Sequence, residues 1–240
     1  MSSQPSTHAT AQNSQAAPDA GTIHYAMYSV FKATSALPAD RAERADAVGG
    51  LETRLAGIDD LTTRGWYDLS GLRADADVLV WWTAHSSETL QEAYRAVRRS
   101  TIGRHLGAVW SALGVHRQAE FNASHMPSFV AGLPPLRYLC VYPFDRSYDW
   151  YLLGEGERRT LLGEHGRAAQ AFKDVQANTL AAFGLGDNEW LLALESDELV
   201  RIVDLIRHLR ATGARRHVRN EIPFFTGPRR PAVELFADLA

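Results

Sequence analysis

Arg137-Tyr138-Leu139-Cys140-Val141-Tyr142-Pro143-Phe144 decides the fold. Its β-branched and aromatic residues read as a strand, and from it the chain repeats an order of elements that it has already run through once. The earlier run opens on Ile23 to Ala33 (IHYAMYSVFKA), a strand by the same composition. A helix follows from Ala39 to about Leu55, where Ala42, Ala45, Val48, Leu51 and Leu55 recur at helical spacing behind Leu37-Pro38. Leu61 to Leu69 and Val78 to Ala84 read as strands, with Gly71 and Asp75 marking the turn between them. Ser86 or Ser87 caps a helix that runs to about Ser100. A strand from Val115 to Asn122 is expected to close this half, giving βαββαβ.

Downstream of Arg137 to Phe144 the series runs again. A long helix is expected from about Gly156 to Phe172, with an extension toward Ala182. Trp190 to Glu195 is a strand, Ser196 is expected to cap a helix from Asp197 to Leu209, and His217 to Phe225 is the last extended segment. Each half is a split βαβ unit of ferredoxin-like type. The repeat lies in the order of elements and not in residue-for-residue similarity. Two such units side by side can merge their antiparallel sheets into one barrel-like wall with helices outside. The fold class is therefore α+β, and a flat ligand would fit between sheet and helix. The domain reading is a disordered tail over residues 1–21, an N-terminal half over 22–125 and a ligand-binding C-terminal half over 126–240. The tail is mostly Ser, Gln, Ala, Thr and Pro, with almost nothing to bury.

Composition narrows the function classes. The 240 residues are 45% hydrophobic, enough for one large domain or two fused small ones. A net charge of −3 offers no field for nucleic acid or an anionic membrane. The single cysteine, Cys140, cannot form an internal disulfide and belongs to no zinc pattern, which suits a reducing cytoplasm. No apolar run approaches membrane-spanning length, and the N-terminus lacks a secretory pattern.

The stretch Leu161 to Ala169 (LLGEHGRAA) carries the first functional signal. Leu161, Leu162, His165, Ala168, Ala169 and Phe172 share one helical face, with polar residues mostly opposite. A desolvated imidazole in such a stripe needs a partner. Two readings fit: a core histidine bonded to a backbone carbonyl, or an axial ligand to a haem-type iron, for which Gly166, Ala168 and Ala169 leave room.

Six further stretches turn the balance. RGWYDLSGLRADADVLVWW (Arg64 to Trp82), SHMPSF (Ser124 to Phe129), RYLCVYPFDRSYDWYLL (Arg137 to Leu153), LLGEHGR (Leu161 to Arg167), GDNEWLLALESDELVRIVDLIRHLR (Gly186 to Arg210) and VRNEIPFFTG (Val218 to Gly227) resemble the actinobacterial coproheme decarboxylases of the chlorite-dismutase-like superfamily. The resemblance covers about Thr22 to Gly227. It implies a double ferredoxin-like barrel of the dimeric α+β type, usually a ring of five subunits. It also implies a reaction: hydrogen peroxide drives loss of carbon dioxide from two propionates of Fe-coproporphyrin III (coproheme). The porphyrin is both substrate and redox cofactor, and haem b forms through a three-propionate intermediate.

The resemblance assigns roles residue by residue. His165 matches the proximal iron ligand. His125, in the loop joining the halves, matches the distal histidine that would take a proton from peroxide. Tyr142 matches the redox tyrosine, whose neutral phenoxyl radical would take a hydrogen atom from the propionate β-carbon. Arg146 matches a propionate contact, where a guanidinium suits a carboxylate. Asn178 matches a distal-side position that holds Gln or Arg in relatives. Arg219, Arg137 and Arg216 are weaker candidates for rim cations, on composition alone, while Tyr138, Tyr148, Tyr151 and Trp150 read as packing residues. A ferrochelatase handing over coproheme is the partner that pathway logic supplies. Three rivals remain at this stage: a chlorite dismutase, which relies on a distal arginine with no clear match here; a haem-binding or haem-sensing protein without catalysis; and a non-haem barrel of similar fold.

Overall fold

The computed structural model describes residues 22–116 and 126–239. The first unit contains β1 (His24–Ala33), α1 (Arg41–Ala56), β2 (Thr62–Asp68), β3 (Val78–Ala84), α2 (Ser87–Arg99) and β4 (Leu106–His116). The second contains β5 (Tyr138–Arg146), α3 (Glu155–Ala169), β6 (Gln176–Ala181), β7 (Trp190–Ser196), α4 (Leu199–Leu209), a short β8 (Val218–Asn220) and β9 (Phe225–Arg230). A final helix, α5 (Ala232–Asp238), follows. Local signals set the first helices: the Asp40 side chain accepts from the Ala42 amide at 2.9 Å, and Ser86 Oγ from the Thr89 amide at 3.1 Å.

The first unit orders its strands β4-β1-β3-β2 and the second β9-β5-β7-β6, all antiparallel. Two short seams, β2–β9 and β4–β6, join the units and close a ring. Each seam depends on a glycine. A Cβ on Gly227 would lie 2.0 Å from the Asp68 carbonyl oxygen, and one on Gly114 would lie 2.7 Å from Leu180 Cβ. Inside the ring Tyr28, Tyr67, Trp81, Val141, Ala193 and Phe225 form one apolar core. A second core lies outside the first unit's sheet, under α1, α2 and α5, where Trp66, Trp82 and Phe31 are buried. Among the described residues no helix is long and apolar enough to cross a membrane.

Four expectations need correction. The closing strand of the first half, expected to start at Val115, starts at Leu106 and runs to His116, and the rest of the expected Val115 to Asn122 lies outside the described residues. Its Gly, Ala and Ser content hides it, but pairing along nearly all of β1 imposes the extended form. The α3 helix does not extend toward Ala182: after a short 3₁₀ turn at Gln170–Phe172 the chain becomes β6, held against β7 over its whole length. Ser196 does not cap α4. It ends β7, its Oγ accepts from the Glu198 amide at 3.3 Å, and the helix begins at Leu199. The last extended segment divides into β8 and β9 around a cis Ile222-Pro223 bond, and α5 was not foreseen.

Candidate active site

Alternation along β5 and β7 sorts their side chains between two compartments. Val141, Leu191 and Ala193 face the ring interior. Tyr142, Leu192 and Leu194 face outward, toward α3 and α4. There they line a cavity of about 90 Å³ with Phe144, Arg146, His165, Ile206 and Leu209. An outer recess of about 300 Å³ adjoins it, lined by Arg219, Asn220, Ile222 and Phe224. Arg210, Arg215 and Glu221 line both.

His165 reaches this cavity from α3. Its Nδ1 lies 3.2 Å from Thr212 Oγ1, and that hydroxyl donates to the Leu209 carbonyl at 2.8 Å. Thr212 has spent its one proton on Leu209, so toward the imidazole it accepts. Nδ1 therefore carries the proton and Nε2 the lone pair, the tautomer a metal ligand through Nε2 requires. The expected apolar stripe is present, yet α3 buries no residue: Leu161, Leu162, His165, Ala168 and Ala169 are only half-buried. A helix that turns its apolar face to a sheet without burying it leaves space between them.

Tyr142 is 6% exposed, and its ring stacks on Phe224 at a centroid distance of 4.3 Å. Burial pushes its phenol well above the ordinary tyrosine range, and Cys140 and Glu221 push the same way against Arg210 and Arg215. The side chain thus holds its proton at any ordinary pH. Arg146 lies with its guanidinium 4.3 Å from the Trp150 ring centroid and 5.2 Å from that of Phe144. Burial lowers its pKa, and among the described residues its guanidinium has neither hydrogen bond nor ion pair. A cation so placed in a cavity wall matches an anionic ligand group.

The other expected residues scatter. Arg219 stands at the outer recess, donating to Tyr148 Oη at 2.9 Å with its guanidinium over the Tyr148 ring. Asn178 is not in this cavity. It is fully buried on the ring-interior face, where its Oδ1 accepts from the Phe129 amide and its Nδ2 donates toward Ala193 O and Glu195. It belongs to a buried network around the Arg64–Glu195 ion pair (2.6 Å). His125 lies outside the described residues. Sequence reading missed Thr212, Arg210, Arg215 and Glu221. The only signal for Arg210, Thr212 and Arg215 was the basic stretch between α4 and β8, and Glu221, just after β8, gave none.

A haem-type group fits these residues: an imidazole oriented by Thr212, an aromatic and aliphatic wall, and a half-buried cation stacked on Trp150 with no hydrogen bond or ion pair from its guanidinium among the described residues. Among the described residues no group of three or more His, Cys, Asp or Glu is placed to hold a bare metal ion.

The ring of strands and the cavity outside its second half define a double ferredoxin-like barrel of the chlorite dismutase type. The chlorite dismutase family model matches residues 41–230, and the chain belongs to that family. Within it, the chain is 54% identical over 222 residues to the coproheme decarboxylase of Mycolicibacterium smegmatis (strain ATCC 700084 / mc(2)155), covering 91% of this chain and 95% of that protein. Two solved structures share the fold. A protein provisionally called a chlorite dismutase superimposes with a TM-score of 0.81 at 22% identity, over 91% of this chain and 100% of the other. The chlorite dismutase of Candidatus Nitrospira defluvii with imidazole does so with a TM-score of 0.78 at 23% identity, over 90% and 95%.

Proposed function

We propose that this protein is a coproheme decarboxylase, using hydrogen peroxide to convert two propionates of Fe-coproporphyrin III to the vinyls of haem b. The observation that carries the reading is one cavity shared by His165 with Nδ1 on Thr212, a buried protonated Tyr142 and the Arg146 guanidinium, which has no hydrogen bond or ion pair among the described residues. Identity to the mycobacterial enzyme supports it.

His165 would hold the iron through Nε2, oriented by Thr212. Arg146 would pair with a propionate, and Arg210, Arg215 and Arg219 would receive others toward the recess. When bound, the iron porphyrin supplies the peroxide-derived oxidising power. Tyr142 gives up its proton and one electron together, because burial disfavours a charged phenolate. The resulting neutral phenoxyl takes a hydrogen atom from the propionate β-carbon, regenerating the phenol. Loss of one more electron and carbon dioxide leaves the vinyl, so each propionate uses one peroxide and releases one carbon dioxide and two waters. His125 is assigned the base that accepts the peroxide proton, on sequence resemblance. Asn178 keeps a structural role in this account. A chlorite dismutase reading is disfavoured because position 178 carries no arginine and its side chain faces the ring interior. Cytoplasmic location, a ring of five subunits and receipt of coproheme from a ferrochelatase belong to the same proposal.

The test mixes purified protein with Fe-coproporphyrin III and titrates hydrogen peroxide. A Soret shift on mixing is expected, then two stepwise mass losses, each of one carbon dioxide and two hydrogens. Binding followed by bleaching, with no decarboxylated product, overturns the reading.

A further inference from the structure

Arg210, Arg215 and Glu221 stand between the inner cavity and the outer recess. Arg210 is the C-cap of α4, Arg215 lies in the 3₁₀ turn Gly213–His217, and Glu221 follows β8. Both guanidinium groups donate to the same oxygen, Glu221 Oε2, from Arg210 at 3.0 Å and from Arg215 at closer range. Glu221 is the most enclosed of the three, its side chain 17% exposed against 46% and 40% for the arginines. One internal carboxylate thus occupies the place between two cations where a ligand carboxylate would bind. It also lies where the two spaces meet, with about 90 Å³ on one side and about 300 Å³ on the other.

We propose that Glu221 is a carboxylate gauge that sets the site's preference between porphyrins of different carboxylate number. The inference rests on the porphyrin reading above and deepens it. A porphyrin carboxylate entering between Arg210 and Arg215 displaces Glu221 and joins the two spaces. Both states then have two cations facing one carboxylate, so the exchange is nearly balanced in charge. When the reaction removes a carboxylate from that position, Glu221 returns to the arginines and the clasp re-forms at the expense of the product. The tetracarboxylate is held because it can displace the gauge, and the dicarboxylate is released because it cannot do so as completely.

Weakening the gauge should therefore change the ratio of affinities. Glu221→Gln keeps the shape but replaces a charge-assisted acceptor with a neutral one, a difference of about tenfold in binding terms. Metal-free coproporphyrin III (four carboxylates) and protoporphyrin IX (two) are titrated into wild-type and variant protein, read by porphyrin fluorescence, with no turnover involved. The expected result is that Glu221→Gln tightens coproporphyrin III by about tenfold relative to protoporphyrin IX. Glu221→Asp, which withdraws the charge by one methylene, should move the ratio in the same direction by less. Equal shifts for both porphyrins, or none, in a wild-type-like background that binds them overturn the gauge and leave the site reading intact. Wild-type protein that binds neither porphyrin overturns both.

Discussion

Over the first half of the ring, α1 sends Val48, Leu51 and Leu55 onto the sheet, and α2 adds Leu90, Ala93, Ala96 and Val97. The chain's last helix returns to the same side, where Leu235 and Phe236 close the core against Trp66. Over the second half, the matching helices contribute much less: α3 buries nothing and α4 only Ile202 and Leu205. The two halves share one order of strands and helices, and the same gap between layers exists in both. In the first it is filled with hydrocarbon, each fully buried Leu or Val contributing about 1.5–3 kcal/mol. In the second it is lined by His165, Tyr142 and Arg146 and left partly unfilled. The fold thus places most of its packed core in one copy of its unit and, in the proposed reading, its chemistry in the other. Closure of the ring through Gly227 and Gly114 ties the second copy to the first.

The sharpest break in this symmetry is chemical. Tyr142→Phe keeps the stacked ring and the wall it forms, so coproheme should still bind, while decarboxylation should nearly stop. Chromatography with mass detection after peroxide titration checks this, and haem b at wild-type stoichiometry would remove Tyr142 from the reaction. Next is the contrast in packing. Leu90→Ala should cost about 2–5 kcal/mol of unfolding free energy, whereas Leu161→Ala on α3 should cost under about 1 kcal/mol, because that side chain is only half-buried. Urea unfolding of both variants measures it, and equal costs would mean that α3 is packed as firmly as α2. A smaller effect is expected at Thr212. Thr212→Val removes the acceptor for His165 Nδ1, and loss of such a supporting bond weakens metal binding by about 10–100-fold, readable in a coproheme titration and in the iron's spin state.

The smallest effect lies in the first half and is a pH dependence of stability. Burial lowers the pKa of His24 and His116 below 6.5, with His85 and His116 also lowering that of His24 while Asp60 opposes. As pH falls through 6.5, the unfolded chain takes up protons at these positions before the folded one does. Stability therefore declines on acidification until the folded imidazoles titrate in turn. His24→Asn should flatten the Tm-versus-pH curve between about pH 7 and 5 without moving coproheme affinity. An unchanged slope would assign it elsewhere.

Much of this was legible in the sequence. Strong β-formers in RYLCVYPF and VLVWWTA gave their strands directly, and the Ser86 cap fixed the start of α2. Leu106–His116 and Gln176–Ala181 were illegible because their small and polar residues carry little strand preference of their own. Pairing to β1 and β7 makes them strands. Within the site, β5 and α3 announced Tyr142, Arg146 and His165 by motif and period. Asn178 lies on the sheet face away from the cavity, and its facing depends on the register of β6, which residue composition does not carry. Thr212 and Glu221 act through partners brought near by tertiary folding, 47 residues away for the Thr212 hydroxyl and His165.

In the proposed reading, the gap beneath α3 is where the porphyrin is held. Amide hydrogen exchange with and without Fe-coproporphyrin III tests it directly, because a helix that buries no side chain opens at low cost. Binding should slow exchange across Glu155–Ala169 and leave α1 and α2 unchanged. Protection appearing in α2, or none in α3 while the absorbance shows porphyrin bound, would contradict the account.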